Sequence, residues 1–229
     1  MNERSRSRFI FRRLTVAAVL AALAAGQSGC SLFVMAGKMM FGDPMRTSAF
    51  TNASRMDLIA DGKKVIVVCS TPESIKSTLP SLEFDMLDQI ARQLRSRSMQ
   101  VIRPDDVATW MDSHGGYSND PEKVADNFDV DVIIHVELLQ FSFMEENSPT
   151  LFRGRAKGNI RAYEVVKDSD GSKRVQEIYA SEYRSVYPQF APLSTQQMSE
   201  KTFSKRYIDQ VSTQIAQLFY SHRASEEIE

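Results

Sequence analysis

The stretch KVIVVCS, Lys64 to Ser70, decides the fold. Val65 to Cys69 are all apolar, mostly β-branched, and too few for a helix, so they read as a buried strand. TPESIKSTLPS follows and reads as a loop that closes with Ser81 as a helix cap. LEFDMLDQIARQLRSR, Leu82 to Arg97, then places Leu87, Ile90, Ala91 and Leu94 on one helical face. Its acids Glu83, Asp85 and Asp88 come early and Arg92, Arg95 and Arg97 late, the order that suits the helix dipole. A short strand is expected over Gln100 to Ile102. Pro104 opens a helix carrying Val107, Trp110 and Met111. Strand, helix, strand at this spacing forms a right-handed βαβ unit.

Downstream the pattern changes to long strands. Asp120-Pro121 caps a short helix through Val124 to Phe128. Asp131 to Phe143, Leu151 to Val166 and Arg174 to Tyr187 read as strands, the last two joined by the hairpin turn Ser169-Asp170-Gly171. Pro192 stops the sheet, and Ser194 with Gln197 forms a capping box for the closing helix. That helix is expected to run to about His222, with Ile208, Val211, Ile215 and Leu218 at spacings of three and four. The order is βαβααβββα. It predicts an α/β fold with a mixed sheet of about five strands, parallel at its start and antiparallel at its end. The first and last helices, the latter long, cover at least one face. Residues 63–222 form this single domain, and 223–229 are a tail.

Upstream lies LTVAAVLAALAAGQSGCSLFVMAG, Leu14 to Gly37, with no charged residue. Arg4, Arg6, Arg8, Arg12 and Arg13 precede it against one acid, Glu3. A basic start before an apolar run is how an export signal begins. The core from Leu14 to Ala25 has the roughly 7–15 residues of a signal peptide. A spanning helix of roughly 20 apolar residues would have to accept Gln27, Ser28, Ser31 and several glycines. Gln27-Ser28-Gly29-Cys30 resembles the lipobox of bacterial lipoproteins, with Gln27 departing from the usual Leu. The resemblance implies that residues 1–29 are a cleaved signal and that Cys30 is diacylated. An uncleaved anchor to about residue 41 and plain secretion are the alternatives. Two acyl chains would hold the protein stably to a membrane. Residues 30–62 are then the lipid-attachment cysteine and a tether. Within it, SLFVMAGKMMF, Ser31 to Phe41, either dips into lipid, packs on the domain or binds a partner. After Gly42-Asp43-Pro44 a polar linker is expected to about Gly62.

Without residues 1–29 the chain has 23 basic against 28 acidic residues. That balance argues against general nucleic-acid binding. Only Cys69 remains once Cys30 is lipidated, so no intrachain disulfide forms; Cys69 is expected to be a small buried hydrophobe. The chain resembles an uncharacterised envelope lipoprotein family of Planctomycetes type over most of its length. More remotely, the element order and the entry Asp129-Val130-Asp131-Val132-Ile133-Ile134 resemble the amino-terminal domain of TolB and the curli-secretion lipoprotein. Those resemblances imply envelope assembly or export and transfer no residue-level role.

Catalytic patterns are thin. His114-Gly115-Gly116 resembles the oxyanion loop of esterases, but no Gly-x-Ser-x-Gly elbow accompanies it, so it reads as a glycine turn. His135 and Glu137 share a strand face and read as a surface pair, too few ligands for a metal. His222 is expected at a helix C-terminus. No Walker loop or dinucleotide glycine loop is present, and no cofactor is implied.

The most distinctive strand is LFRGRAKGNIRAYEVV. By alternation Arg153, Arg155, Lys157, Asn159 and Arg161 share one face. Gly154, Ala156, Gly158, Ile160 and Ala162 share the other, where a helix can approach closely, the closing helix being the natural candidate. The four cations Arg153, Arg155, Lys157 and Arg161 are either solvated and paired to Glu137 or Glu177, or form an anion- or partner-binding surface. The expectation is a non-enzymatic interaction or assembly module outside the cytoplasmic membrane. It would be tethered through acyl chains on Cys30 and engage an envelope protein partner, not nucleic acid. The alternative is an envelope hydrolase acting on cell-wall or lipid substrates.

Overall fold

Val65 to Cys69 are each at most 2% exposed, so strand β2 (Lys64–Ser70) is covered on both faces. Burial on both sides is what a central parallel strand needs, and it explains the unbroken apolar run. In this computed structural model, which describes residues 43–116, 120–169 and 171–226, β2 has parallel neighbours on both sides. One is β3 (Gln100–Val101) and the other is β4 (Val132–Glu145), paired from Val65↔Val132 to Ser70↔Glu137. The expected β5 (Ser148–Lys167) and β6 (Lys173–Tyr187) follow antiparallel, giving the order β3-β2-β4-β5-β6. A two-residue strand, β7 (Leu193–Ser194), adds to β5 and makes six. The α/β fold with a mixed sheet is therefore as the sequence indicates.

Helices lie on both faces. α3 (Leu82–Ser96) and α6 (Glu200–Gln217) pack side by side on the face of Val65, Val67 and Cys69. Met86, Leu87, Ile90 and Leu94 from one meet Phe203, Tyr207, Val211 and Ile215 from the other in the core. The Gln93 side chain donates to Thr213 Oγ1 at 3.2 Å. The return from β3 to β4 runs through α4 (Pro104–Ser113) and α5 (Pro121–Asn127). It crosses the sheet in the opposite direction, so right-handedness places it on the other face. Val107, Met111, Val124 and Ala125 are buried there.

Four expectations are corrected. First, no free linker runs to Gly62: the compact unit begins at Met45. β1 (Met45–Arg46) pairs with β8 (His222–Arg223). α1 (Ala49–Ser54) is capped by Ser48, whose Oγ accepts from Thr51 N at 3.0 Å. Its Phe50 is fully buried against Tyr179 and Phe219. A single aromatic in a polar segment has no periodicity to read, yet here it anchors the segment. Second, the closing helix starts later. Leu193 and Ser194 pair with β5, so Ser199 caps α6 by accepting from Thr202 N at 3.2 Å. Gln197 instead reaches back to Ser194 N at 3.4 Å across a turn. Third, α6 ends at Gln217. His222 is buried in β8, past the end of α6, and the short 3-10 turn Ala224–Glu226 is held by Arg97–Glu226 at 2.7 Å. Fourth, the loop after β2 contains α2 (Glu73–Lys76), and Ser81 Oγ donates to Asp85 at 2.9 Å without capping a backbone amide.

The signal, Cys30 and the Ser31 to Phe41 segment lie outside the described residues, as does Asp170 of the hairpin turn. Among the described residues no helix is long and apolar enough to cross a membrane.

Candidate functional site

β5 separates its side chains as alternation requires. Gly154, Ala156, Gly158, Ile160 and Ala162 are buried; Arg153, Arg155, Lys157, Asn159 and Arg161 are half-buried on the opposite face. The five polar residues do come together as a ladder, and β4 and β6 supply its acids. Glu145 lies between Arg153 at 3.3 Å and Arg155 at 2.5 Å. Arg155 also approaches Glu146 at 4.0 Å. Arg161 sits 3.9 Å from Glu137 and 3.8 Å from Glu177. Asn159 Nδ2 donates to Glu137 Oε2 at 2.9 Å. The hydrogen bond from Arg155 holds the Glu145 carboxyl below its ordinary pKa. Lys157 differs: it lies opposite Arg184 and Gln140 and makes no ion pair among the described residues. An anion binding at Arg153 and Arg155 would have to displace Glu145, so most of this face is already neutralised.

The small face is real but has two causes. A β-carbon on Gly154 would stand 2.5 Å from the Tyr207 ring of α6, the close helix approach that was expected. Gly158 does something else. Its β-carbon would stand 2.1 Å from the Glu137 carbonyl oxygen, where the β4–β5 register shifts between Leu138 and Gln140. A bulge bends one strand over the next there, and a side chain has no room.

His135 is not at the surface: it is 1% exposed. Its Nε2 lies 2.8 Å from Ser70 Oγ at the end of β2. Burial pushes the imidazole pKa down to about 4, with Arg161 adding to the shift and Glu137 opposing it. A hydroxyl beside a neutral imidazole is the first half of a nucleophile–base pair. Here the ring is sealed from solvent, and a base must reach the proton it takes. His114 ends α4 and stacks on Trp110 at 5.0 Å. Gly115 and Gly116 follow at φ +73° and +92°, and Gly116 N–H donates to Met111 O at 2.8 Å. That is a glycine-terminated helix end. Among the described residues no group of three His, Cys, Asp or Glu side chains could hold a metal. Cys69 is fully buried, and burial together with the Glu83 charge raises its pKa.

Two grooves along α3 and α6 escaped the sequence reading. One, of about 620 Å³, has Leu79, Leu82, Phe143 and Ile208 in its lining together with the charged Asp85 and Glu200. The other, of about 650 Å³, lies between Gln89, Arg92 and Gln93 of α3 and Lys201, Lys205 and Arg206 of α6. Lys201 and Lys205 were a legible signal, since a spacing of four puts them on one helical face.

No family model matches the chain, and no curated protein matches it. Solved structures do. The hypothetical protein CT253 of Chlamydia trachomatis is 16% identical at a TM-score of 0.40, over 69% of this chain and 93% of that one. Lipoprotein GNA1162 of Neisseria meningitidis is 15% identical at 0.37, over 67% and 98%. The PelC dodecamer of Paraburkholderia phytofirmans is 11% identical at 0.37, over 76% and 95%. Bacterial lipoproteins are thus among the structures this chain is similar to, at a distance.

Proposed function

We propose that the protein is a lipoprotein of the bacterial envelope, tethered through acyl chains on Cys30, whose domain works by binding other envelope proteins. The observation that carries the tether is the sequence before the domain. A basic start, an apolar core of signal length and Ser28-Gly29-Cys30 stand in the order that export and lipidation need. The resemblance to envelope lipoproteins of Planctomycetes type belongs to this reading, as does the location outside the cytoplasmic membrane.

For the domain, the support is the kind of surface presented. The Arg153–Arg161 ladder is half-exposed, with Arg153 and Arg155 paired to Glu145 and Arg161 to Glu137 and Glu177. A mixed ladder of this sort favours a partner that offers both signs of charge, because complementary patterning sets specificity. Among the described residues Lys157 is the ladder's cation without an ion pair, and an acidic side chain of a partner would sit there.

The hydrolase reading has one residue-level feature, the Ser70–His135 pair. Ser70→Ala tests it, since a nucleophile cannot be removed without loss of turnover. The envelope-module reading is tested by crosslinking in intact cells with wild type and Cys30→Ala. The wild type should pellet with membranes and crosslink to other envelope proteins, and Cys30→Ala should lose the mature form. Crosslinks absent from the wild type, or a Cys30→Ala chain still processed to the mature size, would overturn it.

A further inference from the structure

The helices on the two faces of the sheet differ in charge. From residue 103 to 129, the stretch that forms α4 and α5, the chain carries seven acids against two bases. Asp106, Asp112, Glu122 and Asp126 are exposed there and make no ion pair among the described residues. On the opposite face, Lys201, Lys205 and Arg206 rise from α6 along the 650 Å³ groove. These three are exposed and also make no ion pair among the described residues. Arg92 faces them across the groove and is held by Asp88; Asp209 is the lone acid lining it.

Like charges left unneutralised on one surface repel one another, and a complementary surface relieves both. The two patches lie on opposite faces of one molecule. A symmetric face-to-face dimer would set like against like, whereas a head-to-tail arrangement sets the basic groove of one copy on the acidic helices of the next. We infer that the α3–α6 groove of one copy receives the α4–α5 surface of a second copy of this chain. The inference rests on the reading of the domain as an interaction module and names a second copy as one of its partners. An anionic lipid surface would also meet Lys201, Lys205 and Arg206 but would leave the acidic helices unused.

The test uses the full chain, extracted from membranes in a non-ionic detergent and sedimented at about 0.05 M and about 1 M salt, where the screening length falls to about 3 Å. Wild type should associate at low salt and separate at high salt. Two variants reverse one patch each: Lys205→Glu with Arg206→Glu, and Asp112→Lys with Asp126→Lys. All four positions are exposed, and the second variant places cations in the last turns of α4 and α5, where the helix dipole favours them, so folding is protected. Each variant alone should associate at least about tenfold more weakly, because like charges then meet. An equimolar mixture should recover association, since the reversed groove of one now fits the reversed helices of the other. Wild type that stays single at low salt overturns the inference, as does a mixture that fails to recover. Binding of anionic phospholipid vesicles by wild type, lost only in the α6 variant and without self-association, assigns the groove to lipid instead. If self-association fails while other envelope proteins still crosslink in cells, the second copy is rejected and the module reading stands.

Discussion

Gly154 lies against the ring of Tyr207, so close that a β-carbon on Gly154 would be 2.5 Å from Cδ1. Tyr207 cannot withdraw. It is fully buried, its hydroxyl donates to Ser185 O at 3.1 Å, and its ring stacks on those of Phe203 and Tyr187. Gly154→Ala should therefore cost about 1–3 kcal/mol, the usual range for overpacking, read as a lower melting temperature. Tyr207→Leu should restore part of that loss in the double variant. Additive losses would show that the two positions do not share the space.

Gly158 should be less forgiving. Its neighbour is the Glu137 carbonyl at 2.1 Å, which is backbone and cannot adopt another rotamer. Gly158→Ala is expected to destabilise more than Gly154→Ala, and Tyr207→Leu should give no relief. A Gly158→Ala protein that melts with the wild type would remove the bulge as the reason for this glycine.

Buried His135 makes stability depend on pH. Its folded pKa of about 4 lies below the ordinary value of 6.5, so between those two values the unfolded chain binds the extra proton. Stability then falls as pH falls from about 6.5 to about 4, by up to roughly 3 kcal/mol, and this contribution is constant below that range. Paired carboxylates such as Asp129, lowered by Lys167, add a loss at more acid pH. His135→Gln should flatten the slope between pH 6.5 and 4 and keep the acid limb. Denaturant melts across that range would show it; an unchanged slope would place the titration elsewhere.

Cys69 should resist alkylation in the native protein. It is fully buried in β2, and burial disfavours the thiolate that reacts. Labelling should follow unfolding, with the same midpoint in denaturant. Rapid labelling of the folded protein would bring the central strand to the surface.

What the sequence could show was whatever repeats. The β-branched run of Val65 to Val68, the helical face of Leu87, Ile90, Ala91 and Leu94, and the alternation along β5 each repeat a local rule over several residues. All of these are where the pattern put them. The misses are single residues or choices between rival partners. Phe50 is one aromatic whose burial is decided by Tyr179 and Phe219, far away in the chain. Ser194 and Ser199 both offered a cap, and strand pairing of Ser194 with Leu151 settled which helix start was used. The ladder's main acid, Glu145, lies beyond Phe143, the expected end of its strand. Register shifts after Leu138 and Ser142 place it beside Arg153 and Arg155, and no periodicity encodes those shifts. His135 fails for the same kind of reason: its face of the sheet is open further along but covered where it sits.

Attachment to the membrane rests on Cys30. The direct measurement is the mass of the amino-terminal peptide of protein taken from the membrane fraction. The expected chain begins at Cys30 and carries a diacylglyceryl group on its sulfur, with residues 1–29 retained in Cys30→Ala. A peptide bearing unmodified Cys30, or a membrane-bound chain that keeps residues 1–29, would contradict it.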